Sequence, residues 1–355
     1  MSIDAETAMT GTMPVAGKDR LDEAALETWL GENVAGYRGP LSLSRFKGGQ
    51  SNPTYRLDTP GKSYVLRRKP FGDLLPSAHA VEREYRLIAG LHPTGFPVAA
   101  PYGLCEDASV IGAAFYVMEL VAGRTIWDGK MPHATPQERR AVYLELADVL
   151  AQLHRIDPAS VGLGDYGRPG NYFERQVARW TRQYRASETD EIAAMESLIA
   201  FLPETLPAQE RSSFVHGDYR IDNLIFEADG TKALAVLDWE LSTLGDPMAD
   251  LAYLLMNWAL PYEGRAALGG LDLGALGIPG IDEMAARYCE RSGMTDVPPL
   301  DWYFAFNLFR LAGIVQGIRK RVIDGNAASA QAAEMAKQVE PLAEAAWNFA
   351  RKAGA

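Results

Sequence analysis

The sequence predicts an α+β chain of two lobes, a small antiparallel-sheet lobe followed by a larger, mainly helical one. Three observations predict it. Short β-rich runs separated by turns fill the first third, one amphipathic helical stretch interrupts them, and after Gly123 the pattern turns helical almost to the C-terminus. Two unlike lobes joined by a single linker leave a ligand cleft between them.

Residues 1–18 are small and polar, without the basic start and apolar stretch of a secretory leader, and are expected to form a disordered tail. Residues 19–118 are assigned to the first lobe. A helix is expected over Leu21–Asn33, with Asp19 or Asp22 near its start. Leu41–Arg56 reads as two short strands around Gly48 and Gly49, and Tyr64–Arg68 as a third, ended by Pro70. Over His79–Leu91 the apolar Val81, Tyr85, Ile88 and Leu91 recur at helical spacing. Strands follow at Ala100–Cys105 and Phe115–Leu120. Residues 119–123 are the expected hinge and 124–355 the second lobe. There, Ala141–His154 is strongly helical, and Phe173, Val177, Trp180 and Tyr184 form an apolar helical stripe. Phe214–Phe226 and Ala233–Trp239 read as short strand and loop pieces, with helix dominating from Ala249 onward.

The chain has 355 residues, enough for one large domain or two modest ones, and its 47% hydrophobic and 23% charged content is ordinary for a globular protein. A formal net charge of -11 argues against a general nucleic-acid binder. Cys105 and Cys289 lie far apart, which suggests neither a disulfide framework nor a zinc knuckle and fits a reducing compartment. The histidines do not cluster at metal-ligand spacing. The longest apolar run, Leu251–Leu260, contains Asn257 and is too short to span a bilayer. The expectation is a cytoplasmic protein with neither a nucleic-acid nor a membrane partner; composition does not bear on its oligomeric state.

The chemistry concentrates in His216-Gly217-Asp218-Tyr219-Arg220-Ile221-Asp222-Asn223 and in Leu237-Asp238-Trp239-Glu240. Kinase catalytic loops set an Asp base five positions before a metal-binding Asn, and a second metal-binding Asp lies further along the chain. Asp218 and Asn223 hold that spacing, and Asp238 ends the apolar stretch Leu234–Leu237. Mg²⁺ is a hard ion that prefers carboxylate and amide oxygens and keeps positions open for water and phosphate. The base must stay ionised while reaching an acceptor hydroxyl, which suits a carboxylate.

HGDYRIDN with LDWE resembles the aminoglycoside phosphotransferase and choline kinase-like family, in which HGD stands where protein kinases have HRD. The longer string LDWELSTLGDPMADLAYLL is similar to one branch, the phosphotransferases related to domains of acyl-CoA dehydrogenase-associated proteins. The resemblance runs from Leu43 past Pro247 and weakens toward the C-terminus. It implies a two-lobed protein-kinase-like fold and a Mg²⁺-dependent kinase that moves the γ-phosphoryl group of ATP, or GTP, to a hydroxyl of a small molecule. Asp218 would be the base, and Asn223 and Asp238 the metal ligands.

Other expected parts follow from the same resemblance. Gly49, Ser51 and Asn52 belong to a small turn whose N–H groups would cover the phosphates, although alone it reads as an ordinary hairpin turn. Val65-Leu66-Arg67-Arg68-Lys69 offers Arg where the family usually has Lys. Matching VLR to VLK selects Arg67, with Glu84 as its helix partner; Arg68 or Lys69, and Glu82, remain alternatives. Tyr116–Gly123 resembles the family hinge, in which backbone groups of Glu119 and Val121 bond the adenine and Met118 packs behind it.

His154 is read as a structural helix end, Asp246 and Asp250 as caps of a helix starting near Pro247, and Asp222 is given no chemistry. Only seven residues separate Asp238 from Asp246, too few for the activation segment of a protein kinase, so a small-molecule acceptor is expected. Arg175, Arg179 and Arg182 lie at helical spacing beside Arg185. They form either a basic face for an anionic acceptor or a solvated face paired with acidic neighbours. Arg310, near Trp302, Phe306 and Phe309, belongs to an anion contact or to core packing. The branch implies hydroxylated acyl chains, free or as coenzyme A thioesters. An antibiotic kinase and a nucleotide-binding pseudokinase are the alternatives, the second raised by Arg in place of Lys.

Overall fold

The computed structural model of the chain describes residues 11–47, 52–72, 79–168, 170–261, 263, 265–325 and 330–355. The first lobe comprises β1 (Thr12–Pro14), α1 (Glu23–Asn33), β2 (Ser42–Phe46), β3 (Thr54–Asp58), β4 (Ser63–Arg68), α2 (Val81–Leu91), β5 (Pro101–Cys105) and β6 (Phe115–Glu119). Its strands form one antiparallel six-stranded sheet in the order β1-β2-β3-β4-β6-β5. Over Thr12–Pro14, β1 corrects the expected disordered tail, whose residues 1–10 lie outside the described residues: Thr12 pairs with Phe46 and Pro14 with Ser44, extending the sheet edge. The stretch is too short and too poor in alternating apolar residues to announce a strand by itself.

Asp22 caps α1 by accepting from Ala25 N–H at 3.0 Å, and Leu26 and Leu30 bury against the sheet with Tyr55, Leu66, Phe115 and Val117. On α2 the inward positions are Val81, Glu84, Leu87, Ile88 and Leu91, so a carboxylate occupies a place the helical period assigns to the core. That carboxylate becomes part of the site.

The second lobe contains β7 (Arg124–Thr125), α3 (Pro136–Arg155), α4 (Tyr172–Ser187), α5 (Ala193–Glu204), β8 (Ser213–Val215), β9 (Leu224–Phe226), β10 (Ala233–Val236) and β11 (Thr243–Gly245). After them come α6 (Met248–Leu255), α7 (Leu273–Leu276), α8 (Ile281–Ser292), α9 (Asp301–Ile323), α10 (Ala330–Ala336) and α11 (Val339–Lys352). α3 begins five residues before the expected Ala141. Pro136 occupies its first turn, and Thr135 and Glu138 form a reciprocal capping box. β9 lies between β10 and β7, and β11 pairs with β8. Phe173, Val177, Trp180 and Tyr184 of α4 are buried in a core shared with α9. No described helix is long and apolar enough to cross a membrane. The architecture is the two-lobed α+β fold that the sequence predicts.

Candidate active site

Between the lobes lies a cleft of about 480 Å³. Val65 and Arg67 of β4, Glu84 of α2, and Met118, Glu119 and Val121 at the end of β6 line one side, with Asn223 and Asp238 opposite. Glu119 N–H donates to Ala100 O at 2.9 Å, and among the described residues Val121 N–H has no backbone partner. The expected hinge therefore presents Val121 as an open donor beside Met118.

At the other end, Arg67 joins the two lobes. Its Nε lies 2.9 Å from Glu84 Oε2, and one Nη lies 3.0 Å from Asp238 Oδ1 and 3.7 Å from Glu240. Glu84 also accepts from Asn52 Nδ2 at 2.9 Å and from Tyr116 O–H at 3.1 Å. Burial pushes the Glu84 carboxyl up, while Arg67 pulls it down. Strand alternation decides among the candidate cations. Arg68 points to the opposite face, where its guanidinium meets Tyr55 O–H at 3.1 Å and the Phe71 ring at 3.7 Å. Lys69 pairs with Glu82 outside this network. Gly49 and Ser51 lie outside the described residues. Asn52, expected to cover phosphates, is buried instead, its amide held by Glu84 and by His79 Nδ1 at 3.0 Å.

The HGD loop is held from several directions. His216 Nδ1 accepts from Asp218 N–H at 3.1 Å, and its Nε2 donates to Leu237 O at 2.8 Å, tying the loop to the residue before Asp238. Asp250 accepts from His216 N–H at 2.6 Å and Gly217 N–H at 2.8 Å. Burial alone would raise the Asp250 carboxyl, but His154, His216 and the Gly217 N–H hold it below its usual range. Gly217 has φ +86°, and an added Cβ would lie 2.9 Å from Leu241 O, so the turn requires glycine.

Asn223 Nδ2 donates to Asp218 O at 2.8 Å and to its Oδ2 at 3.0 Å, which leaves the amide oxygen for another partner. Tyr253 O–H donates to Asp218 Oδ1 at 2.6 Å, and Arg220 Nε lies 3.4 Å from the same oxygen. Burial and the neighbouring Asp218 push the Tyr253 phenol well up, which keeps it a donor. Leu237 N–H bonds Asn223 O at 2.8 Å and so brings Asp238 beside Asn223. Asp238 itself adopts the left-handed region, φ 64° and ψ 61°, a strained backbone that aims its carboxylate into the cleft.

Several expectations change here. Asp246 accepts from Met248 N–H at 2.9 Å as a helix cap should, but Asp250 reaches across to the HGD loop. Arg310 is buried, with its guanidinium donating to Gly217 O, so it supports the loop instead of facing an anion. Arg175 donates to the carbonyls of Gly170 and Arg168, and Arg179 lies 5.4 Å from the Trp180 ring centre. His154 is structural, bonded to Tyr288 O–H at 2.6 Å and facing Asp250 at 3.5 Å. Asp222 is buried beside Arg220 at 3.3 Å and Arg265 at 3.9 Å. Sequence reasoning missed Tyr253, Asp250 and Arg220 as site residues. Arg220 lies inside the HGD motif, and Asp250 and Tyr253 inside the string LDWELSTLGDPMADLAYLL, but neither motif showed that these side chains reach Asp218 or its loop.

Comparison with known proteins bears on the family and the fold. The model of the APH phosphotransferase enzyme family matches residues 42–287. Mouse acyl-CoA dehydrogenase family member 10 is 44% identical over 97% of this chain, and the chicken family member 11 is 43% identical over 94%. The chain spans only 32% and 44% of those relatives' lengths. A solved structure from Ralstonia eutropha, described as a candidate aminoglycoside phosphotransferase, is 50% identical with a TM-score of 0.86, covering 94% of this chain and 99% of that one. A thermostable mutant of aminoglycoside phosphotransferase APH(4)-Ia, solved with ADP and hygromycin B, shares the fold at 16% identity and a TM-score of 0.58, covering 92% of this chain and 98% of its own. A two-lobed fold, an HGD loop tied to Asn223 and Asp238, and a family match over most of its length place this chain in the APH phosphotransferase enzyme family.

Proposed function

We propose that the chain is a Mg²⁺-dependent kinase that transfers the γ-phosphoryl group of ATP to a hydroxyl of a small acceptor. The observation that carries this reading is that Asn223 and Asp238 line the cleft that also receives Arg67, while Asp218 and Leu237 are tied to Asn223 by the Asn223–Asp218 and Asn223–Leu237 hydrogen bonds. Adenine would lie against Met118 and bond the backbone of Glu119 and Val121. Arg67, held by Glu84, would contact the phosphates. Asp218 would take the proton of the acceptor hydroxyl as its oxygen bonds the γ-phosphorus and the bond to the ADP oxygen breaks.

The donor set fits Mg²⁺. Among the described residues no three His, Cys, Asp or Glu side chains form a cage, and Mg²⁺ is usually held by one or two protein oxygens together with phosphates. The Asn223 amide oxygen and the Asp238 carboxylate would hold the ion, which supplies charge neutralisation for the phosphoryl oxygens.

For the acceptor we propose a hydroxylated acyl chain or its coenzyme A thioester. Support comes from relatives named for acyl-CoA dehydrogenase, which match nearly the whole chain, whereas an aminoglycoside 3'-phosphotransferase from Niallia circulans matches 50% of it at 28% identity. Mass-spectrometric screening of hydroxyacyl thioesters, free hydroxy acids, amino alcohols and aminoglycosides tests both parts. The expected product is a phosphorylated hydroxyacyl compound, reduced by about a hundredfold or more in Asp218→Asn while ADP still binds. Transfer to none of the four classes, with ADP bound, would favour a nucleotide-binding pseudokinase. Undiminished transfer by Asp218→Asn would remove the base assignment.

A further inference from the structure

Asp246 stands apart from the other buried acids of the described residues. Glu84 meets Arg67, Glu145 meets Lys232, Asp222 meets Arg220, and Asp250 faces His154. Asp246 is 5% exposed, and among the described residues no cation pairs with it. One of its oxygens caps Met248 N–H at 2.9 Å, and the other accepts no hydrogen bond among the described residues. A buried charge without a partner costs stability, and such costs are kept where a function needs the group.

Asp246 lines a groove of about 450 Å³ that shares no residue with the interlobe cleft. Gly245 pairs with Ser213, so Asp246 and Arg211 lie at the same end of the β8–β11 pair, whereas His216 and the HGD loop leave the other end. Tyr303 of α9 lines the groove as well. It too is 5% exposed, and its O–H makes no hydrogen bond among the described residues. Burial, Asp246 and Glu210 push this phenol up to about 12, so it stays neutral. Two buried oxygen groups, a carboxylate and a phenol, thus face one space with nothing to bond. Met248 and Met294 supply apolar wall, and Glu210 and Asp296 stand exposed at the rim. Arg211 is the one cation in the lining; it donates to Gly293 O at 3.2 Å and forms no ion pair among the described residues.

We propose that this groove binds a small organic ammonium ion with an apolar body. The N–H groups of the ligand bond the free Asp246 oxygen and the Tyr303 oxygen, and its carbon frame lies against Met248 and Met294. Glu210 and Asp296 add the field that draws a cation in. A divalent metal suits the groove less: among the described residues no three His, Cys, Asp or Glu side chains are grouped to hold one, and thioether walls do not suit a hard ion. The ligand sits at the foot of α6, the helix whose Asp250 and Tyr253 hold the HGD loop.

2-Phenylethylamine, titrated calorimetrically into the ADP-saturated full chain, tests the site, with 2-phenylethanol as its neutral match. We expect one binding event for the amine that weakens as salt rises, and none for the alcohol. Asp246→Asn keeps the oxygen that caps Met248 and should weaken amine binding at least tenfold. Tyr303→Phe removes a hydroxyl that bonds nothing else among the described residues, and should weaken binding about threefold or more. Both variants should bind ADP as the wild type does. The amine should also raise the urea midpoint of the wild type and leave that of Asp246→Asn unchanged. Absence of amine binding by the wild type, equal binding of the alcohol, or undiminished amine binding by Asp246→Asn overturns the proposal.

Discussion

Tyr253 donates its phenolic hydrogen to Asp218 Oδ1 at 2.6 Å, from a helix that begins 10 residues after Asp238. Asn223 holds the other carboxylate oxygen at 3.0 Å, so the plane of the carboxylate is fixed from both sides. A hydrogen bond to a charged group is worth about 1.5–3 kcal/mol, which corresponds to about ten- to a hundredfold in rate if it is lost only at the reacting geometry. Tyr253→Phe should therefore lower kcat by that range and leave the ADP dissociation constant unchanged. Steady-state turnover beside an ADP titration checks this, and a loss confined to KM for the nucleotide would contradict it.

Arg67 and Glu84 form the second coupled pair, with side chains 12% and 3% exposed. Removing one partner of a buried ion pair costs about 3–5 kcal/mol because the other charge is left uncompensated. Arg67→Met should lose about that much stability in urea unfolding. Glu84→Gln added to it should recover more than half, because Tyr116 and Asn52 can still bond the amide. Additive losses across this double-mutant cycle would show that the pair is not coupled.

What the sequence revealed and what it hid divide along contact range. The Asp218–Asn223 spacing is local, and so is the apolar run Leu234–Leu237 that precedes Asp238; both were legible. The adjacent cations Arg67 and Arg68 were not separable, because a strand shows its two faces alternately and only the placed sheet says which face meets the cleft. Asp250, Tyr253 and Arg310 reach the HGD loop across 34, 35 and 93 residues. No periodicity or motif encodes those distances. In GDPMAD both acids suited a cap, and the structure gives the cap to Asp246 alone. The Thr135-Pro136-Gln137-Glu138 start of α3, by contrast, was readable from capping chemistry and was overlooked.

Asp250 gives a prediction about the loop itself. Its carboxylate, 1% exposed, accepts two consecutive backbone N–H groups. Asp250→Asn offers one acceptor oxygen in place of two and turns an amide donor toward the remaining N–H. A buried donor left unsatisfied costs about 1–3 kcal/mol, more beside charged groups. We expect a loss of about 3 kcal/mol in denaturant unfolding. At temperatures where the variant is fully folded, kcat should still fall at least about tenfold, since the loop that carries Asp218 is no longer clamped. A folded variant with normal turnover would show that the clamp does not position the base.

Asp246 supplies a dependence on pH. Burial pushes its carboxyl up to about 6, only partly offset by the Met248 N–H. In the unfolded chain the same group titrates near about 3.9. Between those values the folded state holds a proton that the unfolded state has released, so stability falls as pH rises from about 4 to about 6. Two pH units correspond to about 2–3 kcal/mol of penalty at neutral pH. Asp246→Asn keeps the oxygen that caps Met248 but carries no charge at any pH. The variant and the wild type should therefore be nearly equal at pH 4, and the variant should gain about 2 kcal/mol by pH 7. Urea unfolding at intervals across that window measures the difference, and a gap that stays constant from pH 4 to 7 would mean that Asp246 titrates alike in both states.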